Sequence, residues 1–185
     1  MTEFYLVSLK DLEINQKLNL QTENSDIPFW NIKGLYTENE AKTKLKELYP
    51  NGISKHGIQY LSEKFDFPKS NGKDYVPNMP MIELTFELVR KIKFSDKPSR
   101  FISVFGCETY EMAKKFRQEY RSNQGKIYKV IAEKWSRLDM KFLYVGPSIL
   151  GNQIIAEKYW SGESSNNPFW EILMTGKIEV IEKME

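Results

Sequence analysis

An α+β fold is what this sequence predicts, and three observations carry it. Strand-like and helix-like segments follow one another irregularly, in the order strand, helices, strand, helix and then several strands. Hydrophobic residues make up 41% of the 185-residue chain and aromatics 14%, enough apolar surface for one sizeable core. No internal repeat or low-complexity segment breaks the pattern, so residues 1–185 read as one domain.

The elements follow in order. "EFYLVS" is too short for a helix and rich in aromatic and β-branched residues, which predicts a buried first strand. A helix is predicted from Glu38 to Tyr49, because Thr37 and Glu40 form a capping box and Tyr36 can staple against Ala41. Pro50 and the following Asn-Gly end it. Residues 51–80, punctuated by glycine and proline, read as a long irregular connection, which inside a compact domain is usually functional. The next helix spans "PMIELTFELVRKIKF", with Pro80 suited to its first turn. Leu84, Leu88 and Ile92, joined by Met81 and Val89, form a stripe expected to pack on the core.

After the turn "SDKPSR", the run "SRFISVF" alternates and predicts a strand. Ser99, Phe101, Ser103 and Phe105 would face one way, with Arg100, Ile102 and Val104 facing the other. Gly106 frees the backbone for a sharp exit into a helix over "ETYEMAKKFRQEY", where Met112, Ala113, Phe116 and Tyr120 share a face. "GKIYKVIA" and "KFLYV" read as strands, "NQIIAEKYW" as a short helix and "GKIEVIE" as a last strand.

Composition narrows the function. A net charge of +2, with Lys and Arg interleaved among Asp and Glu, argues against duplex DNA. Lys42, Lys44 and Lys46 read as a solvated helix face. One cysteine excludes a disulfide framework, and no apolar run approaches the roughly 18 residues of a membrane span. A cytoplasmic protein is expected, since the first residues carry acids and no basic region.

Few motifs carry chemistry. A single histidine, His56, and a single cysteine cannot build a zinc site of usual spacing, and His56 reads as a surface residue. Neither a phosphate-binding P-loop nor a dinucleotide fingerprint is present. Cys107 begins a helix, where a dipole could lower its pKa, yet burial in the core is the better account. Glu171, after a polar loop and two aromatics, reads either as a solvent-facing acid or as a carboxylate against an apolar wall, strongly coupled to a cation. Aromatics and lysines in residues 55–75 fit single-stranded nucleic acid, although Glu63, Asp66 and Asp74 dilute that signal.

Three stretches together resemble the ADP-ribosyltransferase-like superfamily, and within it a set of small bacterial proteins. They are "FYLVSLKDLEINQKL", "PSRFISVFGCETYEMAKKF" and "IIAEKYWSGESSNNPFWEILMTGKIEVIE". The resemblance implies two small antiparallel or mixed sheets enclosing a cleft, with flanking helices. It implies NAD as substrate, cleavage of its nicotinamide–ribose bond, and transfer of ADP-ribose to an unknown acceptor or to water. Glu171 would stabilise the positive charge that develops on the ribose. Ser103 would position that ribose or support the glutamate, and Arg100 would clamp the pyrophosphate. Tyr110 or Tyr159 would stack on the cationic nicotinamide, and Tyr5 and Phe105 would complete the pocket. The sequence departs from the pattern at Tyr5 and Leu6, where relatives place a histidine or arginine. Phe169 stands where arginine-modifying members carry an acid or amide. Two other readings follow: a silent relative that binds a nucleotide or a protein, and a single-stranded nucleic-acid module.

Overall fold

The computed structural model describes residues 1–22, 27, 34–62, 78–146 and 148–184. Four strands, β1 (Thr2–Ser8), β2 (Val104–Gly106), β3 (Lys126–Asp139) and β4 (Trp170–Lys183), form one antiparallel sheet in the order β1-β3-β4-β2. Five helices accompany it among the described residues: α1 (Glu38–Leu48), α2 (Lys55–Leu61), α3 (Asn78–Lys93), α4 (Tyr110–Tyr120) and α5 (Ile149–Ser161). The α+β class is therefore present, with a single sheet among those residues where the resemblance implied two.

That sheet curls into a half-barrel until its two edges meet. Tyr5 and Cys107 exchange both backbone hydrogen bonds, at 2.9 and 2.7 Å, so β1 pairs with the residue just beyond β2. Gly106 lies at this seam because a Cβ there would stand 2.8 Å from Met174 Cε and 3.1 Å from the Tyr5 carbonyl oxygen. The concave side is filled by Phe4, Tyr128, Val130, Ala132, Ile172, Met174, Ile178 and Val180. Residues 15–18 bond to Val180 and Ile178 and close one end, with Leu12 and Leu18 packed beneath.

Helices cover the other side. Ile82, Phe86 and Val89 of α3 and Ala156, Tyr159 and Trp160 of α5 pack over Leu138 and Leu173, and Trp160 Nε1 donates to the Phe86 carbonyl at 2.9 Å. α4 covers Cys107 and Ile127 through Ala113. The capping box predicted at α1 is formed, and α4 and α5 start from the N-caps Thr109 and Ser148.

Several expected elements take another form. The alternating run "SRFISVF" is a 3-10 turn over Arg100–Ile102 followed by the short β2, because Ser99 caps the turn through the Phe101 amide. β3 continues past its expected end through an irregularity between Ala132 and Lys134, and "KFLYV" is no strand: its first two residues close the 3-10 turn Met140–Phe142 and the rest is irregular. Most of the expected α3 stripe faces outward: Met81, Leu84, Leu88 and Ile92 are exposed, whereas Val89 is buried as expected, beside Ile82, Phe86 and the buried polar residues Glu83 and Glu87. Residues 51–80 contain α2 and the start of α3, while 63–77 of that expected connection, and most of the proposed nucleic-acid stretch, lie outside the described residues.

α2 seats directly on the Arg100 turn. Ser54 caps the helix and bonds twice to the Phe101 carbonyl, at 2.8 and 3.0 Å. Gly57 is required there, since a Cβ would fall on the Phe101 carbonyl oxygen and stand 2.9 Å from Ile53 Cβ. Gly57→Ala should therefore destabilise by about 1–3 kcal/mol, the clash outweighing a helix-propensity gain of ~1 kcal/mol. Urea unfolding measures this, and an unchanged midpoint would show that α2 is not held against the turn.

Candidate functional site

Where α3, the Arg100 turn, α5 and the start of β4 meet, four polar side chains form one buried network. Arg100 is 4% exposed and Glu83 1%. Arg100 Nε donates to both Glu83 carboxylate oxygens, at 3.2 and 3.0 Å. One terminal nitrogen donates to Glu171 Oε1 at 2.7 Å and to the Tyr159 hydroxyl, which itself donates to Glu171 Oε1 at 2.7 Å. His56 joins from α2, with Nε2 3.0 Å from Glu83 Oε1 but in no aligned hydrogen bond. The guanidinium lies over the Phe105 ring at 4.6 Å, and His56 packs against the same ring.

The electrostatics follow from burial. Desolvation alone would raise the Glu83 carboxyl, but the Arg100 charge and the His56 contact outweigh it and hold it at about 2. Burial works against the Arg100 charge, and the two carboxylates more than restore it. The Tyr159 phenol is kept protonated, mainly by burial and further by the Glu171 charge, despite the opposing pull of Arg100.

A third buried carboxylate, Glu87, lies one turn along α3 from Glu83. It accepts from Arg90 at 3.0 and 2.9 Å, from Ser99 Oγ at 2.9 Å and from the Tyr49 hydroxyl at 3.2 Å. Glu83 and Glu87 thus grip consecutive parts of the segment 99–100, which fixes the turn that aims Arg100 inward.

The residues expected at the site are placed as follows. Glu171 is 8% exposed, against an apolar wall and paired with a cation. Antiparallel register continued one step from Gly106↔Ile172 sets Cys107 level with Glu171, and Tyr5 bridges Cys107 on its far side. Cross-strand neighbours share a face, so Tyr5 and Glu171 stand on one face about 10 Å apart, two strand spacings. Tyr110 tilts against Tyr5 at 5.9 Å. Phe105 belongs to the Arg100 cluster.

Three residues are placed differently from their expected roles. Arg100, expected as a pyrophosphate clamp, has Nε and one terminal nitrogen engaged by Glu83, Glu171 and Tyr159, and its side chain is buried. Tyr159 is fully buried, so its ring has no free face for a nicotinamide. Ser103 is turned into the protein, its hydroxyl donating to the Ser99 carbonyl at 2.8 Å. The turn also removes the alternation that set Arg100 and Ser103 on opposite faces. His56, expected at the surface, is inside the network with 17% of its side chain exposed. Cys107 is buried as expected, and its thiol is pushed up to about 12 by burial and by the Glu171 charge. Sequence reasoning missed Glu83 and Glu87, whose four-residue spacing was masked by the equally spaced leucines of the opposite face.

Fold and site together define an α+β protein with a curled antiparallel sheet and a buried charge network under its helices. The chain belongs to the family described as Protein of unknown function (DUF2441), which it matches over residues 4–185. That description names no activity. No curated protein matches the chain. Among the described residues no helix is long and apolar enough to cross a membrane, and no cluster of His, Cys, Asp or Glu is arranged to hold a metal ion.

Removing the network's cation tests its energetic weight. Arg100→Met should cost about 3–5 kcal/mol, since it leaves two carboxylates buried without their partner, whereas Ser103→Ala should cost only about 1 kcal/mol. Chemical denaturation of the two variants gives the ranking, and equal losses would refute it. Acid supplies a second test. The folded Glu83 carboxyl lies below its ordinary 4.5, so its contribution is complete above that pH and is lost as pH falls from about 4.5 towards 2. Unfolding midpoints should fall across that window, and the fall should be shallower in Glu83→Gln; identical slopes would place the acid sensitivity elsewhere.

Proposed function

We propose that the chain is an NAD-binding protein of ADP-ribosyltransferase type that breaks the nicotinamide–ribose bond, with Glu171 as the stabilising carboxylate. One observation carries this reading. Glu171 Oε1 is fixed by Arg100 and Tyr159, while Oε2 has no partner among the described residues and the side chain keeps 10% of its surface. A carboxylate so oriented holds one oxygen ready for a ribose hydroxyl and sets its charge beside a sugar carbon that turns positive.

In the reaction, the bond between the ribose carbon and the nicotinamide nitrogen breaks and its electron pair leaves with neutral nicotinamide. The electron-poor sugar carbon then takes a lone pair from water or another acceptor, whose proton is released. Tyr5, about two strand spacings from Glu171, and Tyr110 beside it would supply rings for the cationic nicotinamide. The acceptor class is open to water, protein, nucleic acid and small molecules.

A second reading, a silent relative that only binds a nucleotide or a protein, is favoured by two features. The Arg100 charge stands 2.7 Å from Glu171 Oε1 and opposes a developing cation. Two open surface hollows among the described residues also lie along α1, lined by Glu40 and Lys44, away from Glu171.

Chromatography of nicotinamide released from NAD, with a parallel melting curve, separates the readings. Release by the parent protein should fall by about 10²–10³ in Glu171→Gln, comparable to losing one electrostatic stabiliser. The amide oxygen still accepts from Arg100 and Tyr159, so the fold should persist. Release undiminished in Glu171→Gln would remove the acid from the mechanism. A rise in Tm with NAD but no nicotinamide would select the silent reading. No release and no Tm shift would leave neither NAD reading standing.

A further inference from the structure

The concave mouth of the half-barrel, on the opposite face of β4 from Glu171, carries a second group of side chains that the network does not use. The irregularity between Ala132 and Lys134 reverses which side chains of β3 face inward. Glu133 steadies it by accepting from the Lys177 amide at 3.1 Å, beside Gly176 at a φ of 75°. Beyond it, Trp135 pairs with Met174 and Arg137 with Ile172, so both line the concave side, and Trp170 follows on β4. Trp135 is 45% exposed. Its ring is nevertheless tethered, since Nε1 donates to Thr2 Oγ1 at 3.2 Å and the Phe4 ring meets it edge-on at 5.4 Å. The Arg137 guanidinium lies 3.7 Å over Trp170, and its Nε donates to Glu108 at 3.0 Å. Its two terminal nitrogens have no partner among the described residues, and 38% of its side chain is exposed.

We propose that this mouth is a nucleotide-binding site, with the base stacked on Trp135 and the phosphate held by the terminal N–H groups of Arg137. An exposed ring already fixed in orientation loses little freedom when a planar ligand lands on it. A guanidinium anchored through Nε and stacked on an indole presents its remaining donors in a fixed fork, which matches phosphate geometry. Trp135 and Arg137 are two residues apart on one strand face, about 6.7 Å, a span that suits the ring and phosphate of one mononucleotide. The pairing of stacking surface with anion donor selects a nucleotide over a neutral sugar or an apolar peptide. The site does not rest on the NAD reading, because Trp170 and Glu171 are consecutive and face opposite ways.

Calorimetric titration of the full chain with AMP, and separately with adenosine, tests this. AMP should bind saturably, and Trp135→Ala should weaken it about 5- to 150-fold, the range for loss of one stacked base. Trp135→Phe should retain most of the affinity. Arg137→Gln should weaken AMP about tenfold or more while leaving adenosine nearly unchanged, because only the phosphate is lost. Glu171→Gln should change neither. Absence of saturable AMP binding would overturn the proposal. So would AMP affinity indifferent to Trp135→Ala, or its disappearance in Glu171→Gln, which would move the nucleotide to the acid's face of the sheet.

Discussion

The contact on which the arrangement depends is one guanidinium shared by two buried carboxylates. Arg100 ties α3 through Glu83 to β4 through Glu171, and Tyr159 adds α5 to the same knot. Three elements, α3 and the later pair α5 and β4, are thereby set in one geometry. Burying these charges is not the cheapest way to hold helices on a sheet, since apolar side chains of similar volume often do so as well or better. Their presence is therefore better explained by what the network positions than by stability alone. What it positions is one oxygen of Glu171.

The backbone makes that knot possible through two local devices. The 3-10 turn at Arg100–Ile102 points Arg100 towards the helices, where a regular strand would have turned it from Ser103 and Phe105. Glu87 then restrains the preceding residue through Ser99, so the turn is gripped from α3 at two consecutive points. At the other end of β2, the Tyr5–Cys107 pairing closes the half-barrel. Cys107 is consequently locked between two strands with its thiol neutral, a packing residue despite its position just before a helix.

Much of the architecture was legible in local pattern. The capping box at Thr37 and Glu40, the short apolar first strand and the amphipathic α4 each rest on neighbours in sequence, so the sequence reveals them. The network was legible in part: Glu171, Arg100, Tyr159 and Phe105 were singled out, but Glu83 and Glu87 were not, and His56 was expected at the surface. Glu83 and Glu87 are hidden because α3 carries apolar residues on two faces, and the leucine face turned out to be the exposed one. "SRFISVF" is hidden because alternation in so short a run cannot tell a strand from a turn capped by Ser99. The inward face of β3 is hidden as well, since an irregularity after Ala132 shifts the side-chain parity and only the paired strand reveals it.

That shift has a consequence for how one strand serves two faces. Without it, Lys134, Ser136 and Leu138 would line the concave mouth, and Trp135 and Arg137 would point at the helices, where a charge and a large ring would compete with Leu173 for the core. With it, the apolar residues keep the helix-covered side and the indole and guanidinium reach open solvent. Trp170 and Glu171 on β4 divide in the same way, one to the mouth and one to the buried network. A strand alternates by two and cannot place both on one face, so the sheet presents two chemically distinct surfaces. The buried carboxylate of β4 and the exposed indole and guanidinium of β3 therefore stand on opposite faces of the sheet, linked through the two paired strands that carry them.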